Sequence, residues 1–309
     1  MGDEKKLEWK FTPTLEEDLV WTPDLWFAER FQGTVSFGLR VKESLHTEQS
    51  PFQHIAVYDT YKHGRLLTLD GIVMLTELDE FIYHEMIAHV PMQTLTDARR
   101  AVVIGGGDGG TVRELVKYPE LKEIVLVEID ERVVEVCKKY MPSVASGFSD
   151  PRVKCLYADG AKYIQEVAPG SIDLLIVDST DPLGPGKVLF SPEFYRAGSR
   201  ALAPHGVLTA QTETPVYHTG VIRDIYTGIG QAYKNAFMYW YVFPSYIGAL
   251  YTFAYAANAR HPLRDFQPRR LSELGLRYYH QHLHAAAFVL PGLVANALPA
   301  GHPQKQGSL

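Results

Sequence analysis

The sequence is poor in cysteine and in basic residues, and both shortages exclude classes of protein. Of 309 residues only Cys137 and Cys155 are cysteine, and they do not form a metal-type pair, so a disulfide scaffold is excluded and a reducing compartment is expected. Lysine and arginine total 30 against 36 aspartates and glutamates, which gives a net charge of −6. Without a basic excess, nucleic acid is not expected as a partner.

The sequence also lacks the apolar segments of membrane and secreted proteins. No apolar run approaches the roughly 18–20 residues that a membrane span needs, and the N-terminal stretch MGDEKKLEWK lacks the apolar core of a signal peptide. Its 46% apolar and 21% charged residues are typical of a globular protein with a sizeable core. We therefore expect a soluble cytoplasmic protein without a membrane partner.

Two different sequence patterns divide the chain into an N-terminal and a C-terminal part. From about Thr34 to Thr76, strand-forming runs alternate with turn signals such as Asp70-Gly71, and no helix-length periodic segment interrupts them. After Glu77, short apolar runs alternate with helical segments, a pattern typical of a parallel sheet covered on both faces. We predict a small antiparallel β-domain at residues 1–76 and an α/β domain at 77–309, which ends in an antiparallel pair of strands and a disordered tail.

The stretch IGGGDGG at residues 104–110 has an acid inside a glycine-rich turn. Gly105, Gly107 and Gly110 match the G-x-G-x-x-G spacing, which alone is a weak sign of dinucleotide binding. A pyrophosphate there would face Asp108, with no arginine in the loop to offset it. The acids that end or follow the next strands are Glu128, Asp159, Asp178 and Asp181. Because ligands of open parallel sheets bind beyond the carboxyl ends of the strands, we expect these acids to surround one crevice.

Each acid also has a purely structural interpretation. Asp159 could only cap a helix, and Asp181, before Pro182, could only form a turn. Glu128 lies where nucleotide-binding folds place an acid for ribose hydroxyls. However, two carboxylates 4 Å apart repel by roughly 4 kcal/mol at an effective dielectric constant of 20, and a cation relieves that repulsion. The pattern therefore favours a nucleoside with a sulfonium and an amine over a ligand that carries phosphate.

Five motifs occur in the order and spacing of one known family. LTELDEFIYHEM, GGGDGGTVRE, VEID, ADG and DSTDPLGP resemble the polyamine aminopropyltransferases, the spermidine synthase family, and the resemblance runs from about Gly33 to about Leu298. It implies an N-terminal β-hairpin domain and a methyltransferase-like Rossmann domain with a doubly wound sheet. The reaction implied is aminopropyl transfer from decarboxylated S-adenosylmethionine, a co-substrate, to a di- or polyamine, putrescine above all, with release of methylthioadenosine. Spermidine would be the product, with no cofactor or metal, in a homodimer or homotetramer.

The resemblance also assigns the donor-binding and catalytic roles by position. The donor-binding residues it implies are Gln53, Asp108, Glu128, Asp159 and Gly160. Asp108 and Gln53 would hold the aminopropyl ammonium, Glu128 the ribose hydroxyls, and Asp159 the adenine amino group. Asp178 would be the catalytic acid–base residue, with Tyr83 beside it.

The acceptor side is assigned less directly. The acceptor-binding residues predicted are Asp181, Tyr246, His84 and Glu213, and residues 181–190 match the loop that closes over substrates in relatives. The chain departs from relatives at Met74, commonly a glutamine, and at Leu78, commonly a charged residue. The acceptor therefore stays open among putrescine, agmatine, cadaverine and longer amines. Other functions left open are a methyltransferase, a non-catalytic nucleoside- or polyamine-binding module and, least favoured because of Asp108, a dehydrogenase.

Overall fold

A five-stranded antiparallel sheet forms the N-terminal part of the computed structural model, which describes residues 25–180 and 184–306. Its strands are β1 (Leu25–Phe31), β2 (Val35–Gln49), β3 (His54–Thr60), β4 (Arg65–Leu69) and β5 (Ile72–Thr76). They pair in chain order. Asp70 and Gly71 join β4 to β5 with φ angles of 52° and 78°, as expected of the predicted two-residue hairpin.

The second sheet has seven strands in the order β11-β12-β10-β9-β6-β7-β8. Their bounds are β6 (Arg100–Gly105), β7 (Glu123–Glu128), β8 (Val153–Tyr157), β9 (Ile172–Asp178), β10 (Leu202–Gln211), β11 (Asn235–Val242) and β12 (Leu250–Ala257). Strands β6 to β10 are parallel, and β12 runs antiparallel to both β10 and β11. The predicted α/β class and the final antiparallel pair are therefore confirmed.

Eight α-helices accompany the sheets in the described residues. Their bounds are α1 (Glu80–Met92), α2 (Gly110–Leu115), α3 (Glu131–Tyr140), α4 (Gly160–Glu166), α5 (Pro192–Ala201), α6 (Thr219–Ala232), α7 (Gln281–Ala287) and α8 (Gly292–Ala295). None of the described helices has the length and apolar character needed to cross a lipid bilayer.

Successive residues of the central strands enter two different cores. Val103 and Ile176 pack with α1 and α2 on one face, whereas Val102 and Leu175 pack with α4, α5 and α6 on the other. This double burial explains why these strands are continuous apolar runs rather than alternating ones. A third core joins the N-terminal sheet to α3, for example through Leu67 and Val136. The N-terminal sheet therefore lies against the α/β part.

The change of direction in the strand order determines where a crevice can open. From β6 the chain continues outward to β7 and β8, whereas β9 begins the opposite side of the sheet with β10. The carboxyl ends of adjacent β6 and β9 are the point where an open α/β sheet holds its ligand. Asp108 follows β6 and Asp178 ends β9, so the topology brings together two acids that are 70 residues apart in the sequence.

The expectation of a disordered C-terminal tail is wrong for the described part of it. Residues 303–306 form a 3₁₀ turn, and the buried Gln304 side chain accepts from the Met238 N–H at 2.6 Å and donates to its carbonyl at 2.8 Å. Met238 lies on the outermost strand β11, whose outward backbone groups need partners when they are buried. Composition alone cannot reveal this long-range contact; residues 307–309 lie outside the described ranges.

Candidate active site

A cavity of about 560 Å³ opens where the carboxyl ends of the parallel strands face the N-terminal sheet. The predicted site residues that line it are Gln53, Tyr83, His84, Asp108, Glu128, Asp159, Gly160, Asp178 and Tyr246. Glu213 is not among the lining residues, and Asp181 lies outside the described residues. Residues that sequence reasoning missed, such as Glu29 and His218, also line the cavity.

The glycines of residues 105–110 make room for side chains of the site. A Cβ atom on Gly105 would overlap the backbone of Asp178, and one on Gly107 would lie 2.9 Å from Glu128 Oε2. A Cβ atom on Gly110 would overlap the ring of His84. The loop is therefore glycine-rich because two acids and a histidine approach its backbone closely.

Asp178 is held at both carboxylate oxygens. The Tyr83 hydroxyl donates to Oδ1 at 2.7 Å and the Thr111 hydroxyl donates to Oδ2 at 2.6 Å. Burial and the nearby charge of Asp108 raise the pKa of Asp178 above its usual value. Burial and the Asp178 charge also raise the pKa of Tyr83, so its hydroxyl stays a donor at neutral pH.

Thr111 was missed by sequence reasoning. It lies in the first turn of α2, directly after the glycine loop, and this turn faces the end of β9. The available signal was its place in the motif GGGDGGT, where a hydroxyl follows the loop that precedes a helix.

Asp108 has the opposite electrostatic environment from Asp178. Its Oδ1 accepts from the Gly110 N–H at 2.7 Å and lies 3.2 Å from His84 Nε2. Burial alone would raise the pKa of Asp108, but the charge of His84 and its hydrogen bond lower it below the usual value. Two neighbouring carboxyl groups with pKa values shifted in opposite directions are typical of sites that divide charge binding from proton transfer.

His84 lies buried between two carboxylates. Its Nδ1 is 2.6 Å from Glu80 Oε2, on the same helix, and its Nε2 faces Asp108. Burial alone would lower the pKa of His84, but Asp108 and then Glu80 raise it to about 10. This raised pKa favours the cationic form of the ring at neutral pH. A ring nitrogen of His84 and carboxylate oxygens of Asp108 and Asp178 lie within 4.8 Å of one another, so this ring lies beside both acids.

Glu128, the last residue of β7, lines the part of the cavity where the nucleoside is predicted to bind. Burial raises the pKa of Glu128 to about 7, although its Oε1 accepts from the Asp130 N–H at 3.0 Å. Asp130 in turn accepts from the Gln53 side-chain amide at 2.9 Å and from the Ser50 hydroxyl at 2.7 Å. In this structure Gln53 is thus held by Asp130, a residue that sequence reasoning did not single out.

Asp159 has the capping role that its sequence position allowed, and it also lines the cavity. Its carboxylate accepts from the N–H groups of Ala161 at 2.8 Å and Lys162 at 3.2 Å, at the start of α4. A Cβ atom on the next residue, Gly160, would overlap the side chain of Ile104 on β6. Glycine at this position therefore lets α4 approach the sheet.

Two family models match the chain. The spermine/spermidine synthase domain matches residues 80–267, and the spermidine synthase tetramerisation domain matches residues 25–77. The chain belongs to the spermidine synthase family. The predicted family is therefore confirmed.

Similar proteins in this family include several polyamine aminopropyltransferases. The one from Desulforudis audaxviator strain MP104C is 45% identical over 272 residues, which cover 88% of this chain and 98% of that protein. The one from Moorella thermoacetica strain ATCC 39073 is 43% identical over 276 residues, which cover 89% and 97%.

Two solved spermidine synthases share the fold. One, a crystal structure in complex with the transition-state analogue AdoDATO, has a TM-score of 0.86 at 35% identity and covers 89% of this chain and 95% of its own. The enzyme from Thermotoga maritima has a TM-score of 0.83 at 33% identity over the same shares. The predicted methyltransferase-like fold and the enzyme class of polyamine aminopropyltransferase are thus confirmed.

The two departures from the spermidine synthase family have different surroundings. The Tyr246 hydroxyl donates to the backbone carbonyl of Met74 at 2.5 Å, so this contact does not depend on the side chain at position 74. Leu78 is 50% exposed and is not among the lining residues of the cavity, whereas Met74 lines it. Neither departure removes a predicted site residue.

Glu213 lies behind the cavity wall rather than in it. It is buried, adopts a φ of +82°, and places Oε2 2.7 Å from Nδ1 of His218, which lines the cavity. A positive φ is costly for a residue other than glycine, so the surroundings hold the backbone in this form. In this geometry Glu213 contacts the cavity lining through His218.

Proposed function

We propose that the chain transfers the aminopropyl group of decarboxylated S-adenosylmethionine to putrescine, with spermidine and methylthioadenosine as products. The observation that carries the proposal is the pair of adjacent acids, Asp108 and Asp178, whose pKa values shift in opposite directions. Both line a cavity long enough to include the nucleoside-side acids Glu128 and Asp159. A ligand with a nucleoside, a sulfonium and an amine would match these charges.

On the donor side, Asp108 would pair with the aminopropyl ammonium. The carboxylate that ordinary S-adenosylmethionine carries would instead meet the anion of Asp108, which favours the decarboxylated donor. Glu128 would accept from the ribose hydroxyls and Asp159, beside Gly160, from the adenine amino group. Gln53, from the turn between β2 and β3, would hold the same ammonium as Asp108.

Asp178 would remove a proton from the acceptor amine. An aliphatic amine has a pKa near 10, so it arrives protonated and must lose a proton before it can attack. The freed nitrogen lone pair would form a bond to the aminopropyl carbon next to sulfur, while the carbon–sulfur electron pair moves to sulfur and leaves neutral methylthioadenosine. Tyr83 would orient the same nitrogen. Because the sulfonium is already an activated leaving group, we expect no metal and no further cofactor.

Tyr246, His84 and Asp181 would contact the acceptor, with Glu213 acting through His218. The tetramerisation-domain match at residues 25–77 supports a homo-oligomer, for which a dimer or tetramer is proposed. We propose small-molecule substrates only, without a nucleic-acid or membrane partner, and a place in the cytoplasm.

The experiment that tests this proposal is an incubation of the protein with decarboxylated S-adenosylmethionine and putrescine, agmatine, cadaverine or spermidine. Methylthioadenosine and the amine products are measured by mass spectrometry, with and without EDTA. Release of methylthioadenosine that depends on putrescine and is unchanged by EDTA supports the proposal. A preference for another amine corrects the acceptor. Methyl transfer from intact S-adenosylmethionine, or binding without turnover, contradicts the reaction.

A further inference from the structure

Four charged groups form a continuous chain that leads from the partly exposed Arg113 to the cavity. Arg113 Nη1 and Nη2 donate to the two oxygens of Glu80 at 2.8 and 2.9 Å. Glu80 Oε2 lies 2.6 Å from His84 Nδ1, and His84 Nε2 lies 3.2 Å from Asp108 Oδ1. Glu80 and His84 are both buried. The mechanism proposed above uses Asp108 but gives no role to Arg113 or Glu80.

The groups that face His84 come from four elements. On its own helix are Glu80 and the Tyr83 ring, whose centroid is 5.4 Å away; the glycine loop contributes Asp108, β9 contributes Asp178, and α2 contributes Arg113 through Glu80. Carboxylates are thus the charged groups that surround the ring among the described residues, while Arg113 offsets the charge of Glu80.

We propose that Arg113 and Glu80 are positioning residues that hold the His84 ring as a doubly protonated cation against Asp108. Asp108 then stays an anion for the donor ammonium, and Asp178 is left as the carboxylate that exchanges a proton. This inference rests on the proposed roles of Asp108 and Asp178.

The physical reason is the proximity of two acids in a desolvated site. When such acids have no cation between them, they share one proton. Small differences between the surroundings of the two acids then determine which of them carries it. His84 contacts Asp108, whereas the contacts of Asp178 are the neutral hydroxyls of Tyr83 and Thr111. This asymmetry makes Asp178, rather than Asp108, the carboxylate that takes up a proton. Glu80 fixes the ring, because a carboxylate on Nδ1 requires that nitrogen to donate and orients Nε2–H toward Asp108.

The chain offers a matched control with the same three residue types. Arg132 donates to both oxygens of Glu48 at 2.8 Å, and Glu48 Oε2 lies 3.1 Å from His46 Nε2. The Arg132 side chain is 46% exposed, and none of these three residues lines the cavity. Glu48→Gln therefore repeats the chemistry of Glu80→Gln away from the site.

The test compares Glu80→Gln and Arg113→Lys with Glu48→Gln in the full-length oligomer. Loss of one charge-assisted hydrogen bond predicts that Glu80→Gln lowers kcat/KM for the donor by roughly 10- to 100-fold, mainly through KM. Arg113→Lys keeps the positive charge but removes the bidentate contact with Glu80, and it should lower kcat/KM by a smaller factor. Glu48→Gln should stay within about 2-fold of wild type, as expected for an exposed pair. Circular dichroism and thermal unfolding establish that each variant folds.

A spectroscopic readout separates positioning from general damage. With ¹³Cε1-labelled histidine, the His84 signal, assigned by its loss in His84→Gln, should report a cation at pH 8 in wild type. In Glu80→Gln its titration should move toward neutral pH, and the activity ratio of variant to wild type should fall as pH rises from 7 to 10. A neutral His84 at pH 8 in wild type, or a folded Glu80→Gln with unchanged donor KM, would overturn the inference. If wild type is inactive with every amine, the proposed function fails, whereas the histidine signals still test the charge of His84.

Discussion

The two ends of the cavity are built differently. The proposed nucleoside end comes from strand ends and following turns of one sheet, with Asp108, Glu128 and Asp159 supplied by β6 to β8. The proposed acceptor end combines β1, β5 and the turns after β10 and β11. One end is therefore fixed by a single sheet, whereas the other depends on how separate parts of the chain pack. We infer that the donor is more strictly determined by the fold than the acceptor.

The chemical character of the two ends differs as well. The nucleoside end is lined by carboxylates, of which Glu128 is buried. The acceptor end has aromatic pairs, such as Phe31 with Tyr217 at 5.0 Å and Phe243 with Tyr246 at 4.2 Å between ring centroids. Aromatic walls suit the methylene chain of an amine, and they discriminate chain length only weakly. Substitutions at the two ends should therefore affect different kinetic constants.

The largest effect is expected between the two ends, at Asp178. Asp178→Asn should lower kcat by about 100-fold or more, because it removes a general base. Donor affinity, measured by isothermal calorimetry, should largely survive. Turnover within a few-fold of wild type would remove Asp178 from the catalytic role.

Thr111→Val should have the next largest effect, since it removes the donor to Asp178 Oδ2. We expect kcat to fall roughly 10-fold, as for a charge-assisted hydrogen bond, and Thr111→Ser to restore most of it. Steady-state kinetics with saturating donor and acceptor measure both variants. If Thr111→Ser is as poor as Thr111→Val, the methyl packing of this residue matters more than its hydroxyl.

Glu128→Gln tests the nucleoside end through its effect on the stability of the folded protein. Folding raises the pKa of Glu128 from 4.5 to about 7, so its ionisation destabilises the folded state increasingly from about pH 4.5 to pH 7 and by a constant amount above it. That amount is about 3 kcal/mol. The difference in Tm between variant and wild type should thus shift in favour of the variant by roughly 5 °C from pH 5 to pH 8. Donor KM should rise at the same time. A pH-independent Tm difference would contradict the raised pKa.

The smallest effect is expected at the acceptor end. Tyr246→Phe removes the hydroxyl that donates to the Met74 carbonyl, and it leaves the ring that packs on Phe243. Acceptor KM should rise about 3-fold while donor KM and kcat change little, since one neutral hydrogen bond contributes about 1 kcal/mol. A larger effect on donor KM than on acceptor KM would break the proposed division of the cavity.

Sequence reasoning brought three strand-end acids to one cavity because their placement follows local rules. Strands β7 and β9 end in an acid and β6 is followed by one, and parallel strands place their carboxyl ends at one edge, so Asp108, Glu128 and Asp178 could be brought together without a structure. Thr111, Glu80 and Arg113 were missed because their importance lies in which side chain each one faces. Helical spacing places Glu80 one turn before His84, but nothing in the sequence places Arg113 opposite Glu80.

The acceptor end could not be predicted to the same depth. Glu213 lies next in the sequence to residues that line the cavity. Its backbone adopts a positive φ, however, and its carboxylate contacts His218 behind the cavity wall. The Tyr246 hydroxyl likewise donates to the backbone carbonyl of residue 74, so this contact could not be predicted from the side chain at that position. Backbone conformation and long-range packing determine this end of the cavity. Neither can be predicted from the residue type at a single position.

The Gln304 amide on Met238 has a further consequence for the assembled enzyme. One side chain occupies both backbone groups that the outer edge of β11 offers at this point, and so acts as a single-residue substitute for a neighbouring strand. Exposed strand edges recruit other chains and lead to aggregation. The last turn of the described chain therefore shields the sheet from unwanted strand addition. Truncation before residue 304 would remove this protection and expose the outer edge of β11 to other chains.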